Sequence, residues 1–489
     1  MPSLVPLSPE DSIRRQKEAF QTDFFDEPSD KKLNQQFESI PLGGNPVDVL
    51  KTARKYRYKP IKFSAETGAA ALNTMVLFNR FQPYANGSGP IMLSSNTPLN
   101  GLFKLSTSDI MEDIRITGAF KIGTNLKDNE WLLNFQNLKS RIDWGLTYYR
   151  NVIGSGAVVK DNQGNVIASF PARLFTNLYQ GNISYPFDEA RSLRLTLGIR
   201  SDNLAVSSVD QISSKFENDR TLYAVSRLEY VYDNSLNNGV NIWDGLRYKA
   251  YMDWNRQVSK VRFANAPNTF NFGFDVRYYH PIYKNFIWAG RAAGDFSWGS
   301  QKLIYYLGGM DGWLMFGNNI KPGTTKERYF NTSNTPANDQ SYAFQSLAVN
   351  MRGHIQNAAN GNNAIVLNSE FRLPVLSTLF DKTVSNAFFR DFQLTQFIDL
   401  GTAWNGAYNK WKRPELIFNT PTRLPNGDLI PGPVTVRQKA GGVGPFLGGY
   451  GFGARSTLFG YFIKYDMGWP MNGFFKGSPV TYLSLGLDF

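Results

Sequence analysis

Residues 478–489 alternate with a period of two. Leu483, Leu485, Leu487 and Phe489 fall on one face, and Tyr482, Ser484, Gly486 and Asp488 on the other. That pattern is a strand with a different solvent on each side. An aromatic last residue on the apolar face suits the closing strand of a transmembrane β-barrel, whose outer face meets lipid between aromatic girdles. A half-buried edge strand of a soluble sheet also alternates, so the weight lies in repetition along the chain.

The pattern repeats. Leu193, Leu195, Leu197 and Ile199 oppose Arg194, Thr196, Gly198 and Arg200. Tyr248, Ala250, Met252 and Trp254 oppose Arg247, Lys249, Tyr251 and Asp253. Tyr461, Ile463, Tyr465, Met467 and Trp469 oppose Lys464, Asp466 and Gly468. Segments of this kind run about 9–11 residues, the length that crosses a bilayer when tilted. They fall at 101–109, 114–124, 130–138, 142–151, 171–185, 190–200, 217–231, 244–257, 268–281 and 284–297, then at 363–373, 391–403, 445–456, 458–469 and 478–489. A bacterial single-chain barrel takes an even number, so sixteen are expected. The missing strand is placed near 302–308 or before 101. No repeat of blade length supports a propeller.

Composition agrees. Aromatic residues make up 15% of the 489-residue chain, while the mean hydropathy is only −0.33. No stretch approaches the ~20 apolar residues of a membrane helix. A helical membrane protein is excluded, whereas a barrel hides its hydrophobicity in every second residue. There is no cysteine, and the two histidines are His280 and His354. Disulfides, thiolate nucleophiles and cysteine-ligated metals are ruled out, and a His-based triad or zinc site has almost no material. No catalytic residue, metal or cofactor is expected. The net charge of +12 suits a surface near lipid phosphates. No basic run interleaved with aromatics accompanies it, so nucleic acid is not read as a partner.

Residues 1–57 are polar and charged and read as an extended periplasmic linker with one short helix, or as a disordered tail. Met1–Phe20 lacks the apolar core of a secretory signal. Either a signal has been removed, or the chain is the C-terminal part of a longer one. Beyond residue 58 the connections alternate. Ile110–Asp113 and Pro281–Lys284 read as tight turns, while Asn151–Phe170, Asp202–Glu217, Gly308–Gly361 and Asn405–Gly444 read as long loops. The Gly308–Gly361 loop is too long to be idle in a compact domain.

That loop contains Val349-Asn350-Met351-Arg352-Gly353-His354 and runs into Glu370-Phe371-Arg372-Leu373-Pro374, then Phe397-Ile398-Asp399-Leu400-Gly401-Thr402-Ala403-Trp404. Alternation puts Glu370 with Val366, Asn368 and Arg372, and Asp399 with Thr395 and Phe397, so both acids face the lumen. Two lumenal carboxylates on neighbouring strands suit the planar fork of an arginine on an inward-folded loop. The bland alternative is that each charge merely lines a wet lumen. A glycosidase carboxylate pair is set aside, because no aromatic sugar platform accompanies it. Gly448-Gly449-Tyr450-Gly451-Phe452-Gly453 lacks the strand-then-helix context of a dinucleotide fingerprint. Its glycines let a loop backbone approach the wall or allow the barrel to bend.

These motifs resemble the BamA superfamily, the bacterial surface antigen family of outer-membrane barrels that insert or export proteins. Its sixth loop carries a Val/Ile-Arg-Gly-Phe/Tyr tetrapeptide, and two acid-bearing strands follow. Arg352 and Gly353 match the loop motif, and Glu370 and Asp399 match the acids. Met351 and His354 stand where a β-branched residue and an aromatic are usual. Leu102–Asp113, Asn134–Leu138 and Tyr305–Gly309 look like a branch in which a TolB-like propeller precedes the barrel.

The resemblance implies an all-β, sixteen-stranded transmembrane barrel over 58–489 in the bacterial outer membrane, with no enzymatic activity. It implies insertion or translocation of unfolded outer-membrane or secreted clients, amid outer-membrane lipid and lipopolysaccharide and with accessory periplasmic or lipoprotein subunits. The alternatives are a secretion pore and a passive channel plugged by loop 308–361. Work would pass through a lateral gate, the seam between Gly101–Asp109 and Val480–Phe489, weakened by Gly486. Phe489 would serve recognition and seam strength. Arg352, Gly353, Glu370 and Asp399 would anchor the loop.

Overall fold

Strands can cross lipid only if every backbone N–H and C=O finds a partner in a neighbouring strand. The computed structural model describes residues 63–72, 82–83, 100–109 and most of 111–485, all within one unit spanning Pro60–Phe489. The expected linker at 1–57 and the calls on Gly486 and Phe489 lie outside the described residues.

Among the described residues, sixteen strands line a lumen. In order they are β1 Phe63–Leu72, β2 Asn100–Asp109, β3 Ile114–Gly123, β4 Asn129–Asn137, β5 Asp143–Lys160, β6 Val166–Pro186, β7 Arg191–Val206 and β8 Asp219–Asp233. Then come β9 Ile242–Gln257, β10 Asn268–Tyr283, β11 Phe286–Gly299, β12 Asn363–Pro374, β13 Gln393–Trp404, β14 Leu447–Leu458, β15 Tyr461–Pro470 and β16 Val480–Leu485. Antiparallel ladders join each to the next. A short strand at Leu236–Gly239 folds back on the start of β9.

The sixteenth strand is the one before residue 101. Its sequence, FSAETGAAAL, carries small residues where the others carry alternating leucines and aromatics, which hides it. Two expectations need correction. β1 pairs along β2 from Phe63↔Asp109 to Leu72↔Gly101, so Gly101–Asp109 has strands on both edges and does not border the seam. β1 takes that position. The stretch 151–170 is not simply a loop, because the β5–β6 ladder continues through Val159↔Ala168. Repeated Val and Ala there extend the ladder past the point where lipid-type alternation stops.

The outward faces are apolar. Phe103, Leu133, Leu197, Ile199, Met252, Phe272, Leu367 and Phe452 are exposed, while Arg200, Asp253, Asn368 and Arg455 point inward and are buried. Trp254, Phe270 and Trp298 stack across three strands near one end, at centroid spacings of 6.4 and 5.9 Å. Tyr230, Tyr248 and Tyr232 form a second cluster nearer the other end. Tyr248 and Trp254 are separated by roughly 20 Å along β9, from the rise per strand residue. Two aromatic rows flanking an apolar band are the surface of a transmembrane barrel.

The loop after β11 folds inward. Lys302–Leu307 pairs in parallel with Tyr342–Leu347 and antiparallel with Ala359–Gly361. Leu303, Tyr305, Leu307, Val349 and Met351 pack on wall residues Ala293, Ala364, Val366 and Ala403. The barrel therefore has a core, built from its own loop. The 302–308 segment is a strand, but one in the lumen rather than the wall.

Leu197→Arg, on the lipid face, should destabilise the barrel in phospholipid vesicles by about 2–4 kcal/mol. Leu197→Met should cost under about 1.5 kcal/mol. Urea titration followed by tryptophan emission reads both, and equal midpoints would contradict a lipid-facing Leu197.

Candidate functional site

Arg352 sits at the inner end of the loop with its side chain 3% exposed. Its Nε donates to Asp399 Oδ2 at 2.8 Å, and one terminal nitrogen donates to Asp399 Oδ1 at 3.1 Å. The other terminal nitrogen donates to Glu370 Oε2 at 2.5 Å. The Arg352 backbone N–H also donates to Asp399 Oδ2, at 2.9 Å. One planar fork thus serves two carboxylates from adjacent strands, a geometry that lysine cannot reproduce. The guanidinium lies 3.7 Å from the centre of the buried Phe397 ring, where a desolvated cation–π contact adds about 2 kcal/mol.

Register explains the meeting. Asn368 faces Asp399 across β12–β13, and Glu370 faces Phe397. Asn368 Nδ2 donates to Asp399 Oδ1 at 2.8 Å and to the Asn350 carbonyl at 2.8 Å. The four expected residues Arg352, Gly353, Glu370 and Asp399 are brought together. In sequence they span nearly fifty positions, and period-two alternation placed both acids on the lumen face.

The network extends further than the sequence reading reached. Arg372 Nε donates to Glu370 Oε1 at 2.8 Å, so Glu370 is held between two guanidiniums. Arg455 on β14 donates to Asp466 on β15 at 2.9 Å and lies 3.8 Å from Glu370. Asp466 is 3.9 Å from Arg352. Three guanidiniums and three carboxylates therefore interleave across β12 to β15. The signal for Arg372 was its place two residues beyond Glu370 on the same face. Arg455 and Asp466 carried only the general signal of a lumenal charge.

Glycines make room for the loop. Gly353 has φ +91°, a conformation other residues adopt only under strain. A Cβ on Gly449 of β14 would stand 1.8 Å from the Arg352 carbonyl oxygen. The expectation that wall glycines admit the loop backbone holds at this position. His354 also anchors the loop, although it departs from the motif. Its Nε2 lies 2.9 Å from the Gly448 carbonyl. A carbonyl only accepts, so Nε2 carries the proton. Burial lowers the ring's pKa below its ordinary value, which keeps it neutral. The His354 carbonyl accepts from Gly309 N–H at 3.0 Å and from Tyr482 Oη at 2.6 Å. Through Tyr482 the anchored loop reaches the last strand.

Nothing in this arrangement is a nucleophile paired with a base. Among the described residues no cluster of His, Cys, Asp and Glu has the geometry of a metal site. What the site can do is fix a loop inside a barrel.

No family model matches the chain, and no curated protein does. Among solved structures, BamA from Haemophilus ducreyi lacking POTRA domains 1–3 aligns with TM-score 0.45 and 12% identity, over 86% of this chain and 75% of that one. CdiB from Acinetobacter baumannii gives TM-score 0.41 and 10% identity, over 88% and 66%. CdiB from Escherichia coli gives 0.42 and 11%, over 87% and 68%.

Arg352→Ala leaves the buried Asp399 without its guanidinium and removes one of those that hold Glu370, and should destabilise the folded barrel by about 3–5 kcal/mol. The barrel should lose its compact form on semi-native gels at lower temperature than wild type. Arg352→Lys should recover less than half of that loss. Wild-type heat resistance in both variants would show that the network does not hold the loop. Gly449→Val should expel the loop while leaving the strand content seen by circular dichroism unchanged. Protection of residues 349–356 from proteolysis that matches wild type would contradict that contact.

Proposed function

We propose that this chain is a BamA-type outer-membrane barrel that assembles or translocates other polypeptides, and is not an enzyme. The observation that carries this reading is a pairing. An inward loop is locked to β12–β15 by Arg352, Glu370 and Asp399, and the strand series has two ends, β1 and β16, with no ladder between them among the described residues. An unpaired edge offers N–H and C=O groups to an incoming strand. A barrel made only to conduct has no use for such an edge, because closure removes it at no cost.

In this reading the outward apolar band sits in the outer membrane among lipid and lipopolysaccharide. The clients are unfolded outer-membrane or exported proteins. Accessory lipoprotein subunits and a preceding periplasmic domain, whether POTRA repeats or a TolB-like propeller, belong to the same reading, as do the division at residues 57/58 and the roles of Gly486 and Phe489 at the seam. Arg352, Gly353, Glu370 and Asp399 do no chemistry. They hold the loop on the wall beside the seam.

Depletion in the native cell separates this from the alternatives. Loss of many outer-membrane proteins is the expected result and supports insertion. Loss of a single exported protein supports a secretion pore instead. Loss of neither, with ion conductance that rises when residues 310–360 are deleted, would leave only a plugged channel.

A further inference from the structure

The outer face of the barrel changes character at the long-loop end of β5–β8. On β5, Trp144 and Leu146 are exposed to the outside, and Tyr148 and Arg150 continue their face. On β6, the face of Ile183 and Tyr179 continues as Asn177, Phe175 and Arg173. On β7, the face of Leu197 and Ile199 continues as Ser201 and Asn203, and on β8 that of Leu228 continues as Leu222 and Arg220. Contacts within the set agree with this parity. The Arg150 guanidinium lies 5.8 Å from the centre of the Phe175 ring. Tyr148 Oη donates to Asn177 Oδ1 at 3.2 Å, and Arg220 Nε donates to Ser201 Oγ at 3.1 Å.

Register gathers three arginines around Phe175. Arg150 faces Asn177 across β5–β6, Phe175 faces Asn203 across β6–β7, and Asn203 faces Arg220 across β7–β8. Arg173 stands two residues from Phe175 on the same face, roughly 7 Å along the strand, and Arg220 two strands away, roughly 10 Å. Among the described residues no carboxylate forms an ion pair with Arg150, Arg173 or Arg220. Arg200, on the lumen face of β7, is by contrast paired with Asp202 at 2.9 Å. Asp128, at the adjoining loop, accepts from the Gly154 N–H at 3.1 Å. Asn203 Oδ1 is buried without a hydrogen-bond partner, and a buried acceptor in that state needs a donor.

Three like charges gathered on a lipid-facing wall repel one another and have no place among acyl chains. At the edge of the apolar band they meet the phosphate layer of the membrane instead. A guanidinium fork matches phosphate oxygens. A phosphate oxygen only accepts, so it cannot serve Asn203 Oδ1, whereas a sugar hydroxyl can donate to it. Phe175 offers a flat apolar surface between the cations, on which the C–H face of a sugar ring can rest. We propose that Arg150, Arg173 and Arg220, set around Phe175 and Asn203, form a binding site for the phosphorylated sugar headgroup of an outer-leaflet glycolipid. The inference rests on the reading of this chain as an outer-membrane barrel with its long loops outward, and it adds which part of the wall takes the lipid and by what groups. The site lies on β5–β8, apart from the loop network of β12–β15.

The test uses the full chain in lauryldimethylamine oxide micelles and a fluorophore-labelled lipid with a bisphosphorylated glucosamine-disaccharide headgroup, its binding read by anisotropy. The wild-type protein should bind this lipid at least about tenfold more tightly than the same lipid stripped of phosphate, or than phosphatidylglycerol. Arg150→Gln/Arg173→Gln/Arg220→Gln should weaken binding at least about tenfold while keeping wild-type heat resistance on semi-native gels. Asn203→Ala should weaken it about threefold, as expected for one lost hydrogen bond. Should the triple variant fail to fold, each single Arg→Gln change provides the same comparison, at about threefold. Equal binding by wild type and the arginine variants overturns the proposal, as does equal binding of the phosphorylated and stripped lipids. Competition by phosphatidylglycerol or inorganic phosphate as strong as that of the unlabelled glycolipid also overturns it, since no sugar headgroup is then recognised. Glycolipid binding that follows the arginines, in a protein whose depletion spares every client, supports this site and overturns the client reading alone.

Discussion

A guanidinium buried in a protein must find its counter-charges there, and those of Arg352 are on the barrel wall. Desolvating the charges is expensive, and the pairing offsets that cost only when geometry is near ideal and the remaining hydrogen bonds are made. Here Asp399 accepts from the Arg352 side chain, the Arg352 backbone and Asn368. Glu370 accepts from Arg352 and Arg372. Pairing this dependent on geometry has few alternative arrangements, so it specifies a loop position more than it adds stability. Displacing the loop by one residue would separate Arg352 from Asp399 and leave both charges buried without each other.

The rest of the lumen is arranged around that position. On the loop side, the inward positions of β12 and β13 are buried, and along most of each strand they alternate with half-buried or exposed ones. Several are small, Ala364, Gly401 and Ala403, as is Gly449 on the neighbouring β14. On the far side, β8 and most of β9 show intermediate exposure along their length, as expected of polar side chains around water. The half of the barrel beside the loop is packed like a protein interior, and the other half is less closely packed. Tyr305 bridges them, donating its buried hydroxyl to Asn271 on β10 at 2.7 Å.

Most of this was legible in the chain because both lipid and the charge network impose period two. Leu197 outward and Glu370 inward follow from one rule. Where that rule weakens, so does the reading. β1 is rich in alanine, with glycine and serine, and its two faces differ too little to mark it as a strand. The continuation of β5 and β6 past residue 151 carries no lipid-type alternation, since it runs on beyond the apolar band. Arg455 and Asp466 were visible as lumenal charges, but their partnership depends on the β14–β15 register, which no local pattern encodes. The contact of Trp313 with Tyr482 joins residues far apart in the chain through a loop, where periodicity is silent.

The two ends of the strand series differ in a way that makes the loop's place at β16 intelligible. β1 is a poor competitor, with small side chains and a bulge between Ala65 and Thr67, and alanine and glycine are weak strand formers. An unpaired edge in lipid is costly, since each unsatisfied backbone group forfeits a hydrogen bond that water cannot replace. Leu314 meets part of that need at Leu483 from the lumen side. Leu314 thus gives the last described strand a backbone partner from within the same chain.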